Sequence, residues 1–163
     1  MLKIKEITAI IFSFVLLKNA IAKDYVIESH GKRTLVKEHI YSKKDNLKIF
    51  KLEGTFTDNA GNFGEFNSIV NVKTLNKVIE KLEASNEFIY NANIKAYNIA
   101  LRTNNELEQG VGKWYFSYAS KSINAIIHSE CFYSIRYYKD NFLTLAKCNI
   151  SEKAFEQIKN ITQ

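Results

Sequence analysis

Beyond Lys23 apolar and polar residues alternate along most of the chain. Leu47 to Thr57 sets Phe50, Leu52, Gly54 and Phe56 against Lys51, Glu53 and Thr55. After Gly64 the pattern resumes, with Phe66, Ser68, Val70 and Val72 against Glu65, Asn67, Ile69 and Asn71. A period of two is that of a strand with one face buried. Between these runs, Asp58-Asn59-Ala60-Gly61-Asn62 is rich in residues that tolerate positive φ and bond their own backbone, which predicts a hairpin. Lys95 to Arg102 alternates again, with Tyr97, Ile99 and Leu101 on one face, and Thr103-Asn104-Asn105-Glu106 turns out of it. Gly112 to Tyr118 then places Trp114, Phe116 and Tyr118 together.

Other segments are less regular. Asp24–His30 and Lys32–Ile40 meet at Gly31 and predict a first hairpin, while Gly54 suggests a bulge or tight bend. From Thr74 to Asn91, Leu75, Val78, Ile79 and Leu82 fit a helical face, yet Phe88-Ile89-Tyr90 is strand-like, and the balance leans to strand. Ser120 to Asn124 reads as a loop into Ala125-Ile126-Ile127. Ser151 to Ile161 predicts a helix, with Ser151 as N-cap and Ala154, Phe155, Ile158 and Ile161 on one face.

The turn Tyr138-Lys139-Asp140-Asn141 defines a closing hairpin. If Lys139-Asp140 is the loop, Tyr138 faces Asn141, Tyr137 faces Phe142, Ile135 faces Thr144, Tyr133 faces Ala146 and Cys131 faces Cys148. The cysteines then form a non-hydrogen-bonded pair, with a Cα separation of about 4.5 Å that a disulfide tolerates. Two buried free thiols are the alternative. The N-terminus bears on the choice. Lys3 and Lys5, the apolar run Ile7–Leu17 and Ala20-Ile21-Ala22 form the three-part pattern of a signal peptide over residues 1–22. The run is too short for a transmembrane anchor. Export to the periplasm or beyond favours the disulfide and leaves residues 23–163 as one domain.

Evenly spaced short strands with polar turns and a final helix predict an all-β fold, an antiparallel barrel of about eight strands with a short C-terminal helix. Closure into a barrel removes exposed sheet edges, which favours it over a sandwich. A 46% hydrophobic and 13% aromatic composition supports a real core. The formal charge of +6 falls to +4 without the signal segment, which suits either a solubilising surface or affinity for acidic polymers and anionic lipid. No lysine–arginine block points to nucleic acid.

The sequence holds no metal-binding histidine pair, nucleophile elbow, phosphate-cradling glycine loop or Cys-x-x-Cys, and calls for no cofactor. Asp58, Asn59, Asn62 and Glu65 cluster oxygen atoms without EF-hand spacing. His128 and Glu130 share a face if the segment is extended, an arrangement that orients an imidazole as a general base or forms an exposed pair. Arg102 and Arg136 fall on expected strands, where an arginine inside a barrel can hold a carboxylate or can equally snorkel out to solvent.

The motifs Gly54-Thr55-Phe56-Thr57-Asp58-Asn59, Gly61-Asn62-Phe63-Gly64, Gly110-Val111-Gly112-Lys113-Trp114 and Glu130-Cys131-Phe132-Tyr133 resemble small exported proteins of the allene-oxide-cyclase-like barrel group over roughly Lys48 to Cys148. The resemblance implies an eight-stranded barrel with a cavity. The cyclase's catalytic glutamate has no counterpart here, so its activity is not implied. Gly112-Lys113-Trp114 is also loosely similar to the Gly-x-Trp step of lipocalin-like barrels, which normally lies in the first strand. Two functional readings result. One is a small apolar or amphipathic ligand in a lumen lined by Tyr97, Arg102, Trp114, Tyr115, Tyr133 and Arg136. The other is a structural or interaction module of the cell envelope, for which a contiguous exposed aromatic patch would speak.

Overall fold

The computed structural model describes residues 22–91, 93–102 and 109–161; all but Ala22 of the expected signal peptide over residues 1–22, and the expected turn Thr103-Asn104-Asn105-Glu106, lie outside them. Eight strands, β1 (Ala22–Ile40), β2 (Asn46–Asp58), β3 (Phe63–Leu75), β4 (Val78–Asn91), β5 (Ile94–Arg102), β6 (Gln109–Ala119), β7 (Glu130–Tyr138) and β8 (Asn141–Ser151), form a closed antiparallel barrel in sequence order. A helix, α1 (Glu152–Lys159), follows. Period-two alternation fills the interior as the sequence predicts. Phe50, Leu52 and Phe56 of β2 and Phe66, Ser68, Val70 and Val72 of β3 are buried.

Four local expectations change. Gly31 does not turn the chain but lies mid-strand in β1, directly opposite Gly54 of β2. A Cβ on Gly31 would stand 2.6 Å from the Gly54 Cα, so the two glycines permit a close backbone approach, and the ladder runs through Gly54 without a bulge. The segment after Thr74, by contrast, is strand as its pattern leans, entered by a two-residue turn in which Asn76 and Lys77 take φ of 52° and 68°. Both signs fit the type I′ turn that matches strand twist. In β6 the register shifts at Ser117, which turns Tyr118 outward while Trp114 and Phe116 stay inside. Lys121–Ile126 forms a short 3-10 helix where the sequence predicts a loop over Ser120 to Asn124.

The two ends of the barrel differ. One is closed by α1 and the 3-10 helix, which bury Ala154, Ile158, Ile123 and Ile126. Ser151 caps α1 as expected, its hydroxyl accepting from the Ala154 N–H at 3.2 Å. Beneath them the Tyr25 hydroxyl bonds Asp58 and Tyr90, and Asn62 donates to Asp58 and to the Ile158 carbonyl. The other end is uneven. Among the described residues β8 pairs with β1 only as far as Lys32, next to the β7–β8 turn. The end of the β1–β4 wall therefore projects past the β7–β8 turn, by roughly 25 Å of strand along β1.

Candidate functional site

The rare residues of the chain meet in the lumen. Trp114 of β6 pairs across the ladder with Cys131 of β7, which is bonded to Cys148 of β8, and both cysteines are fully buried. The register is the one read from the closing turn, Tyr138 against Asn141, and Lys139 takes the positive φ of 55°. Trp114 stacks on Tyr133 with ring centroids 5.5 Å apart. Gly112 permits this stack, because a Cβ there would stand 2.7 Å from the Tyr133 ring. Burial pushes the Tyr133 phenol pKa up, and the nearby Arg102 guanidinium opposes the shift.

These side chains border a chamber of about 30 Å³, lined also by Asn86, Thr144 and Tyr137. That holds one or two waters, whereas small-molecule pockets are of the order of 300–1,000 Å³. The rest of the lumen is filled by Phe56, Phe66, Phe88, Phe116 and Phe142, in keeping with the narrow interior of eight-stranded barrels. The polar residues of the lumen are Ser29, Ser68, Asn86, Asn98, Arg102 and Thr144. The Asn86 amide donates to Asn98 at 2.5 Å, while the buried indole N–H of Trp114, a residue that lines the chamber, has no hydrogen-bond partner among the described residues. The Arg33 guanidinium lies 4.2 Å from the ring centroid of Tyr137, which borders the chamber, and 5.2 Å from that of Phe50.

Of the six residues expected to line a lumen, Arg102, Trp114 and Tyr133 do, and the structure brings them together. Tyr97, Tyr115 and Arg136 stand on the outer wall. The inner positions of β5 are Ala96, Asn98, Ala100 and Arg102, whose small members leave room for the rings of β4 and β6. Tyr97 is thus turned outward, where its hydroxyl donates to Glu87 at 2.7 Å beside Lys95. The hydrogen bonds from Tyr97 and Lys95 hold the Glu87 pKa below the usual carboxylate range, and the bond to Glu87 raises that of Tyr97.

The His128–Glu130 arrangement does not form. His128 sits in a turn at φ 70°, so the extended geometry that would align the two is lost, and Glu130 is bound to Lys113 at 2.8 Å. The Asp58 carboxylate is occupied by the Tyr25 hydroxyl, the Ala60 and Asn62 N–H groups and the Asn62 amide. No group of three or more histidine, cysteine, aspartate or glutamate residues among the described residues is placed to hold a metal.

Sequence reasoning missed the outer wall of β5–β8. Leu101, Val111, Phe132, Leu143 and Leu145 are 42%, 64%, 61%, 49% and 49% exposed. Ser134 links Val111 on one side to Leu145 on the other, while Phe132 lies between Lys113 and Lys147, Leu101 is opposite Lys113 and Leu143 is opposite Arg136. A shallow groove of about 510 Å³ runs between Val111, Phe132 and Leu145. Lys113, 4.8 Å above the Phe132 ring, and Lys147 flank it. The signal was present in Phe142-Leu143-Thr144-Leu145-Ala146, where apolar residues fall on both faces of one strand. No protein-family profile matches the chain. A comparison with curated proteins likewise finds no match.

Proposed function

We propose that this protein is an exported interaction module, a packed barrel that meets a partner on the outer wall of β5–β8. The observation that carries this reading is the contrast between the two faces of that wall. Inside it leaves about 30 Å³; outside it presents Leu101, Val111, Phe132, Leu143 and Leu145 to solvent. Large apolar side chains gathered on one face with a polar rim are the usual mark of a protein contact. Export is supported by the pattern of residues 1–22 and by the Cys131–Cys148 bond, since disulfides persist in oxidising compartments. The test is a photo-crosslinking residue at Phe132 in living cells, with Glu53 on the opposite wall as control. A discrete adduct at position 132 and none at 53 is expected; no adduct at 132, or equal adducts at both, contradicts the reading.

A second reading, a small amphipathic ligand in the lumen, is favoured by the Trp114 indole N–H and the buried Arg102 beside the chamber. The resemblance to the allene-oxide-cyclase-like group, which implies a cavity, supports the same reading, and in this chain Gly110 lies beside Arg102 and Gly112 beside Tyr133. A retained small molecule in native mass spectrometry decides for it.

A further inference from the structure

We propose that the projecting end of the β1–β4 wall docks on an anionic lipid bilayer, with Ile40, Tyr41, Leu75 and Val78 entering the headgroup layer and Lys43, Lys44 and Lys77 meeting the lipid phosphates. The β1–β2 loop and the β3–β4 turn form one tip. The Asn76 N–H donates to the Asp45 carboxylate at 2.9 Å, and the Lys77 N–H donates to the Lys44 carbonyl at 3.0 Å. On this tip Ile40 is 72% exposed, Tyr41 64%, Val78 50% and Leu75 37%.

The charges are arranged to suit the same surface. Lys43, Lys44 and Lys77 make no ion pair among the described residues, whereas Lys73 and Lys81 behind them are bound to Glu80 and Glu83. Asp45, the acid of the loop, has its carboxylate engaged by the Asn76 N–H and the Ser42 hydroxyl. Lys77 holds φ 68° at the turn position where glycine is unstrained, so the backbone carries a penalty to keep an ammonium group at the apex. A tip that carries exposed apolar side chains, a tyrosine and three lysines matches the interface of an anionic membrane in both polarity and charge. A soluble polyanion offers nothing to Ile40 and Val78, and a neutral apolar partner nothing to the lysines. This surface lies apart from the outer-wall patch and stands without it.

The experiment uses the full chain. Its apolar N-terminal run has vesicle affinity of its own, so the reporter must be specific to position. Tyr41→Trp places an indole on the tip and Thr57→Trp one near the opposite end, each over the constant background of buried Trp114. With vesicles of phosphatidylcholine and phosphatidylglycerol, the Tyr41→Trp emission is expected to shift to shorter wavelength and to be quenched by brominated acyl chains. Thr57→Trp is expected to do neither, and pure phosphatidylcholine to leave both unchanged. In the Tyr41→Trp background, Lys43→Gln, Lys44→Gln and Lys77→Gly together should weaken the response on the order of 100-fold, about fivefold for each lysine lost. Lys77→Gly alone should lower it while leaving the melting temperature unchanged or higher, which separates docking from folding. Equal responses from the two reporters, a response on neutral vesicles, or no loss in the triple variant would overturn the proposal. So would heparin binding without any shift on vesicles, which would make the tip a site for soluble polyanions.

Discussion

The hydroxyl of Tyr25 donates a 2.7 Å hydrogen bond to the carboxylate of Asp58, and it does so from a fully buried position on β1 to the last residue of β2. The contact ties the first strand to the turn that Asp58 itself organises through the N–H groups of Ala60 and Asn62. Asp58→Ala leaves the buried hydroxyl and both turn N–H groups without their acceptor. The expected loss is about 2–4 kcal/mol in urea unfolding, with the slope unchanged. A loss under 1 kcal/mol would show that the turn holds without the carboxylate.

The same cluster sets an alkaline limit on the fold. Burial first, then the Tyr90 and Asp58 neighbours, raises the Tyr25 pKa well above 10, and burial raises that of Tyr90. A folded-state pKa above the unfolded value means that these phenols contribute stability below pH 10, and that the contribution is lost as pH climbs from 10 toward the folded values. Absorbance at 295 nm should therefore show a late step that coincides with unfolding by circular dichroism. Tyr25→Phe should shrink that step. If all tyrosines ionise before any loss of structure, the buried cluster is not as described.

Cys131→Ser opens the β7–β8 hairpin, whose cysteines are 17 residues apart. Closing a loop of that length contributes about 3 kcal/mol through the unfolded state. The variant should melt lower than the parent under oxidising conditions and about equal to it with a reductant present. The same loss in both conditions would assign the effect to thiol packing.

Gly112→Ala sets a methyl group 2.7 Å from both the Tyr133 ring and the Leu101 carbonyl oxygen. The expected loss is about 1–3 kcal/mol, the usual cost of overpacking, with a changed near-ultraviolet signal as Tyr133 leaves Trp114. Adding Tyr133→Leu should recover part of the stability. No recovery would place the strain at the Leu101 backbone instead.

The closing hairpin was legible because one turn fixes register: once Lys139-Asp140 is the loop, Cys131 must face Cys148. Period two likewise assigned both faces of β2 and β3. What pattern alone does not decide is which face of a strand turns inward when both carry apolar groups. On β5 the larger Tyr97, Ile99 and Leu101 face out, because the crowded lumen admits only Ala96, Asn98 and Ala100 beside Phe88 and Phe116. Gly31 misled for a related reason. A glycine between two apolar stretches marks a turn when the chain needs positive φ, and here it instead makes space for Gly54 on the neighbouring strand. The projecting tip was invisible for want of register: Ile40 and Val78 look like ordinary strand residues until the lengths of β1 and β8 are compared.

Native mass spectrometry of the protein purified from its source cells bears most directly on the central claim that the barrel is packed and acts through its outer surface. The account predicts the polypeptide mass less two hydrogens for the disulfide, with no small molecule retained under gentle ionisation. A stoichiometric retained apolar or amphipathic molecule that is lost on Trp114→Phe or Arg102→Gln substitution would contradict it and place the function in the lumen.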